Sequence, residues 1–80
     1  MNARIEILDA WQNHLKAGNS EPSTLKLPLL KAYDLCKLGR EELGDLSQHL
    51  LLYGPRCLEE SGFYGLRVII TLEGDAISFE

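Results

Sequence analysis

The sequence predicts an α+β domain, with about three N-terminal helices followed by a C-terminal antiparallel β-hairpin that packs on them. Two observations support this fold class. Apolar residues recur at helical spacing over the first two thirds of the chain, and beyond Gly65 the apolar period changes to two, with many β-branched residues. Residues 1–80 are interpreted as a single small domain, because a chain of 80 residues has no room for a second core.

The first predicted helix runs from Arg4 to Ala17, with Asn2 as its N-cap and Gly18 at its end. Its apolar face consists of Ile7, Leu8, Trp11 and Leu15. A polar loop follows. Leu25 and Leu27 then alternate directly before Pro28, and residues before proline disfavour the α region. A short third strand near residues 24–27 is therefore an option.

Two longer helices are predicted in the middle of the chain. Pro28 is well suited to begin the first, which continues through Leu38 to a glycine, and acidic residues begin the second, over 41–53. Gly44 weakens this second helix locally by about 1 kcal/mol relative to alanine. A single helical turn is expected over 55–61. Trp11, Tyr33 and Tyr53 lie on apolar faces and are expected to pack in the core.

The strongest predicted strand begins at Leu66 and forms a hairpin that ends at Phe79. A two-residue loop at Glu73 and Gly74, or at Gly74 and Asp75, closes it. The first register places Ile70 opposite Ile77, and the second places Leu72 there. Both registers keep the same apolar face together, so the turn type stays undecided.

Composition restricts the class of partner. The chain carries 12 acidic and 8 basic residues, a net charge of −4, which disfavours a nucleic-acid surface built on phosphate contacts. Charged residues interrupt every apolar stretch, so no membrane span is expected. The N-terminal segment is amphipathic rather than a signal peptide, and with two cysteines this indicates a reduced, cytoplasmic location.

No motif for catalysis, metal binding or cofactor binding is recognisable. The possible metal ligands His14, Cys36, His49 and Cys57 are scattered one per element. Cys57 follows an arginine and a predicted helix start, which could activate its thiol, but nothing in the sequence places a histidine beside it. Adjacent glutamates on a helix point in different directions and suit solvated helix starts. The sequence therefore predicts no enzyme, no metal and no cofactor.

Residues 28–53 resemble the two-helix plan of a DNA-binding helix-turn-helix with a glycine turn. The recognition helix of such a unit would begin with Glu41, Glu42 and Asp45, which phosphates repel. A small transcriptional regulator is consequently the alternative hypothesis rather than the leading one.

The leading hypothesis is a non-enzymatic protein-binding module: a small acidic cytoplasmic regulator, adaptor or inhibitor of the kind that bacteria and phages encode. A two-stranded hairpin leaves open edges, which another protein or a second copy could extend into a homodimer. Phe63 and Tyr64 lie in a glycine-flanked connector with no periodic reason to be buried. The predicted partner-binding residues are Phe63, Tyr64, Ile69, Ala76, Ser78 and Phe79.

Overall fold

A computed structural model of the chain describes residues 2–80 and confirms the α+β class. Helices dominate the N-terminal three quarters, and two of the three strands lie near the C-terminus. The elements in order are α1 (Ala3–Lys16), β1 (Thr24–Pro28), α2 (Leu29–Cys36), α3 (Arg40–Leu43), α4 (Leu46–Tyr53), a 3-10 turn (Pro55–Cys57), α5 (Leu58–Ser61), β2 (Arg67–Thr71) and β3 (Ser78–Phe79).

The sheet is mixed, and its strand order is β2-β1-β3. β1 pairs with β2 in parallel, which places Leu25 opposite Val68 and Leu27 opposite Ile70. On its other side β1 pairs with β3 in the antiparallel direction, with Leu25 opposite Phe79. These five residues share one face of the sheet, since side chains opposite each other in register point to the same side.

The predicted C-terminal hairpin is wrong in its pairing, because β1 lies between β2 and β3. Period-two alternation assigns residues to the two faces of a strand, but it does not identify the neighbouring strand. Leu25 and Leu27 are fully buried, and the central position gives β1 a partner on each side. The optional strand at 24–27 is thus the centre of the sheet, and residues 72–77 pass its end instead of forming a two-residue turn.

The helices cover one face of the sheet and enclose a single cluster of buried side chains. α1 packs against α2 and β3, α2 also contacts β1 and β2, and α5 packs on β2. The buried apolar residues are Ala3, Ile7, Leu25, Leu27, Ala32, Leu35, Leu50, Leu58, Phe63, Leu66, Val68 and Phe79. The opposite face of the sheet carries Lys26, Ile69 and Ser78, which are partly buried or exposed.

The predicted helix over 41–53 is divided into α3 and α4. Gly44 has a φ of +61°, a left-handed conformation that ends α3, and Asp45 precedes α4. Residues 2–80 therefore form five helices where about three were predicted, and the 3-10 turn together with α5 covers the single turn expected over 55–61.

The prediction that three aromatic residues pack in the core is correct for Trp11 only. Its ring is half-buried and lies 5.9 Å from the ring of Phe79. Tyr33 and Tyr53 are 51% and 69% exposed. Helical spacing places a residue on a face, but a neighbouring element must cover that face to bury it.

Candidate functional site

The predicted partner-binding residues are divided between the core and the surface. Phe63 and Phe79 are buried in the core. The other four, Tyr64, Ile69, Ala76 and Ser78, are exposed or partly buried. Ile69 and Ser78 lie on the face of the sheet opposite the core, and Lys26 of the central strand separates them.

Tyr64 occupies a tight turn that the sequence analysis did not predict. Phe63 and Leu66 exchange backbone hydrogen bonds of 3.0 and 2.9 Å across it. Tyr64 and Gly65 have φ values of +49° and +80°, and two positive values define a type I′ turn. The Tyr64 hydroxyl accepts a 3.0 Å hydrogen bond from Nε of Arg4 on α1, which holds the half-exposed ring against the helix layer.

The most apolar part of the surface is the C-terminal half of α4. Leu50 is buried, whereas the next three residues, Leu51, Leu52 and Tyr53, are 80%, 67% and 69% exposed. Successive helical residues are about 100° apart around the axis, so Leu52 points nearly opposite Leu50, and Leu51 and Tyr53 lie on the two flanks. We call these three exposed residues the α4 ridge.

The α4 ridge stands between two shallow grooves. Leu51 borders a groove of about 300 Å³ that is otherwise lined by Cys36, Leu38, Gly39, Arg40, Ser47 and Gln48. Tyr53 borders a groove of about 500 Å³ whose other lining residues are His49, Arg56, Cys57, Glu60 and Ser61. Each groove is lined by both apolar and polar side chains, and exposed apolar side chains beside such grooves are common in surfaces that bind proteins.

The sequence does not predict the α4 ridge, because helical spacing alone does not show which side of a helix a neighbouring element covers. A usable signal was present. Four consecutive apolar residues, Leu50 to Tyr53, span most of the circumference of a helix, and a short helix at the surface cannot bury all of them.

The charged side chains beside the α4 ridge carry both signs, and the arginines among them are paired. Arg40 pairs with Asp45 at 3.2 Å, and Arg56 pairs with Glu59 at 3.5 Å. Glu60, which lines the Tyr53 groove, has no ion pair within residues 2–80. The groove therefore presents an uncompensated carboxylate next to an exposed aromatic ring.

The structure also places His49 and Cys57 along the same groove, a proximity that the sequence could not show. No hydrogen bond joins the two side chains in the described part of the chain. Burial raises the pKa of the Cys57 thiol, and the charge of Glu60 raises it further. Both effects disfavour the thiolate that a nucleophilic cysteine needs.

Cys36 has a similar environment. Burial raises the pKa of its thiol, and the neighbouring Cys57 adds to the effect. Both cysteines are free thiols, and each is partly buried beside the core. They have the features of packing residues rather than of reactive ones.

Residues 2–80 contain neither a metal-binding cluster nor a membrane-spanning helix. No group of three or more histidine, cysteine or carboxylate side chains is arranged to hold a metal ion there. Within the same residues no helix has both the length and the apolar character needed to cross a membrane, and the longest, α1, has 14 residues. The break at Gly44 interrupts the predicted DNA-recognition helix, and the surface of α4 that faces solvent is mainly apolar.

Comparison with protein-family models, with curated proteins and with solved structures found no match to this chain. We therefore infer the function of this chain from the geometry of the chain's own residues.

Proposed function

We propose that this chain is a non-enzymatic protein-binding module, a small cytoplasmic regulator, adaptor or inhibitor that acts through protein–protein contacts. The α4 ridge is the observation that supports this proposal. Three consecutive large apolar residues are exposed there, whereas the other exposed large apolar residues of 2–80 are not consecutive in the chain. Leucine and tyrosine that protrude between grooves can insert into complementary pockets of a partner.

The experiment compares two leucines that differ in position but little in exposure. Leu52, in the α4 ridge, is 67% exposed, and Leu72, in the connection between β2 and β3, is 72% exposed. The tagged full chain, Leu52→Lys and Leu72→Lys are each used to capture proteins from a lysate of the source cells. The captured protein is then purified and titrated against all three chains by isothermal calorimetry.

We expect saturable binding by the original chain and by Leu72→Lys. Binding by Leu52→Lys should be at least about 10-fold weaker, because a lysine replaces an apolar contact in the interface. Absence of any saturable partner, or equal binding by the two variants, would contradict a function centred on α4.

A homodimer is the competing form of this proposal, at the sheet edge or through α4. Light scattering on the purified chain over a range of concentrations measures it directly. A molar mass of two chains that returns to one chain in Leu52→Lys would place the partner among copies of this protein. Dimerisation that survives Leu52→Lys would instead favour the sheet edge at β3.

A further inference from the structure

The partner of the α4 ridge can be specified further by the charge of the surrounding helices. Residues 40–61 contain five acidic side chains and two basic ones, a net charge of −3 out of −4 for the whole chain. The acidic residues are Glu41, Glu42, Asp45, Glu59 and Glu60, and the basic ones are Arg40 and Arg56. Three of the four net negative charges of the chain therefore belong to the segment that contains the α4 ridge.

The two arginines do not make this region available to an acidic partner. Arg40 and Arg56 are each engaged by a carboxylate of the same segment, at 3.2 and 3.5 Å. Among residues 2–80, Glu41 and Glu60 are exposed and have no ion pair. They are free to pair with cations supplied from outside.

The same charges disfavour a second copy as the occupant. Two chains packed through α4 would bring two segments of net charge −3 together, and like charges across an interface reduce affinity. A partner with apolar residues on one side and lysine or arginine beside them would match both the apolar side chains of the α4 ridge and the unpaired carboxylates. α4 has eight residues and is about 12 Å long, so a helix of about three turns would cover it.

We propose that the α4 ridge binds a basic amphipathic helix of another protein. Its apolar side covers Leu52 and Tyr53, which are about 100° apart around the helix, and a lysine or arginine side chain pairs with Glu60 in the Tyr53 groove. Such recognition is the helix-in-groove mode, with charge complementarity selecting the partner. This inference rests on the proposed function and adds the chemical class of the partner.

The test uses two synthetic helical peptides with the same leucine pattern. One peptide carries lysine at every polar position, and the other carries glutamate. Each is labelled with a fluorophore, and the full chain is titrated into it while anisotropy is measured. We expect saturable binding of the lysine peptide and at least about 10-fold weaker binding of the glutamate peptide. Binding should weaken when ionic strength rises from about 0.05 to 0.5 M, because salt screens exposed charges.

Matched variants locate the binding surface. Leu52→Lys and Glu60→Lys should weaken binding of the lysine peptide by about fivefold or more, since each removes a contact and adds a like charge. Leu72→Lys and Glu73→Lys make the same substitutions at exposed positions between β2 and β3, and should remain close to the original chain.

Two results would overturn the inference. Equal affinity for both peptides would show that charge does not select the partner, and equal effects of the substitutions at Glu60 and Glu73 would place the peptide elsewhere. If neither peptide binds but a lysate protein is still captured through Leu52, the partner class is wrong and the protein-binding function stands. If Leu52→Lys captures as well as Leu72→Lys does, the proposed function itself fails.

Discussion

Helices α1 and α4 use their apolar residues in different ways. In α1, Ile7 is fully buried, and the half-buried Trp11 packs on Phe79 of β3. In α4 only Leu50 is buried, and the three residues that follow it face solvent. Both helices are rich in apolar residues, so the difference in burial does not come from composition. It comes from the elements that pack on each helix.

The two helices also differ in how their ends and polar faces are held. Asn2 caps α1 by accepting a 2.9 Å hydrogen bond from the backbone N–H of Ile5, and Lys31 of α2 pairs with Glu6 at 2.6 Å. The Glu6 carboxylate raises the pKa of Lys31 accordingly. α4 follows Asp45, which makes no capping hydrogen bond. α1 thus has a capped N-terminus and an ion pair to α2, whereas α4 packs against α2, α3 and the 3-10 turn without a side-chain cap.

We expect the largest change in the free energy of unfolding when a buried side chain of α1 is truncated. Ile7→Ala should lower the free energy of unfolding by about 2–5 kcal/mol, because it removes apolar contacts and leaves a cavity. Leu51→Ala, in α4, removes a side chain that is 80% exposed and should change the free energy by less than about 0.5 kcal/mol. Urea denaturation followed by circular dichroism measures both. Similar losses for the two variants would show that α4 is buried in solution.

The sequence predicts that α1 and α2 exist and approximately where they begin. The period of Ile7 and Trp11 predicts α1, Asn2 is the predicted cap, and Pro28 lies at the predicted boundary of α2. These features depend on local spacing and backbone chemistry. The exposure of Tyr53 and the pairing of β2 with β1 depend on distant segments, which a single sequence does not reveal.

The same limit explains the incomplete prediction of the site. Helical spacing places Leu51 and Leu52 on α4, but whether they are buried depends on how α2, α3 and the 3-10 turn pack against that helix. The groove that brings His49 and Cys57 together is likewise created by packing between α4 and the 3-10 turn. Local patterns identify candidate residues, and tertiary contacts decide which of them share a surface.

A second prediction concerns the turn that carries Tyr64 toward α1. Gly62 has a φ of +75°, and a Cβ at this position would lie 2.8 Å from the backbone oxygen of Leu66. Gly62→Ala should therefore cost about 3 kcal/mol, the upper end for a strained backbone. Gly74 has a φ of +77° with no atom near its Cβ position, so Gly74→Ala should cost only about 1 kcal/mol.

Thermal and urea unfolding of Gly62→Ala and Gly74→Ala distinguish the cost of a positive φ from the cost of a close contact at Cβ. Equal losses would show that φ alone determines the requirement at Gly62. A larger loss at Gly62, with a changed environment of Tyr64 in the near-ultraviolet circular dichroism spectrum, supports the role of the turn in attaching Tyr64 to Arg4.

A third prediction tests the ends of the two helices. Asn2→Ala removes the hydrogen bond that caps α1 and should lower the free energy of unfolding by about 1 kcal/mol. Asp45→Ala, before α4, removes no capping bond and only an exposed ion pair with Arg40, so its effect should stay below about 0.5 kcal/mol. Equal effects in urea denaturation would mean that the caps do not distinguish the helices.

A fourth prediction concerns the thiols beside α4. Burial raises the pKa values of Cys36 and Cys57 in the folded chain, so the folded state retains thiol protons that the unfolded state releases first. Their contribution to stability should be complete below about pH 8.5, the usual thiol pKa, and should be lost as pH rises above it. The Cys36→Ala/Cys57→Ala double variant should show a smaller decline in stability between neutral and alkaline pH.

The reactivity of the thiols gives an independent measurement of the same environment. Alkylation by iodoacetamide at neutral pH should be slower in the folded chain than in urea, where both cysteines are exposed. Faster alkylation of the folded chain would contradict the raised pKa values and would restore Cys57 as a candidate nucleophile.

The smallest effect is expected at the centre of the α4 ridge. Leu52 is 67% exposed, so the lysine side chain of Leu52→Lys remains in water, and its stability in the absence of a partner should change by less than about 0.5 kcal/mol. Leu50 is 2% exposed, so Leu50→Lys would bury a charge without a partner and should prevent stable folding. If Leu52→Lys is also strongly destabilising, the apolar residues of α4 serve the fold. If it is neutral, the exposed leucine is not required for folding, which is the result that the proposed binding role predicts.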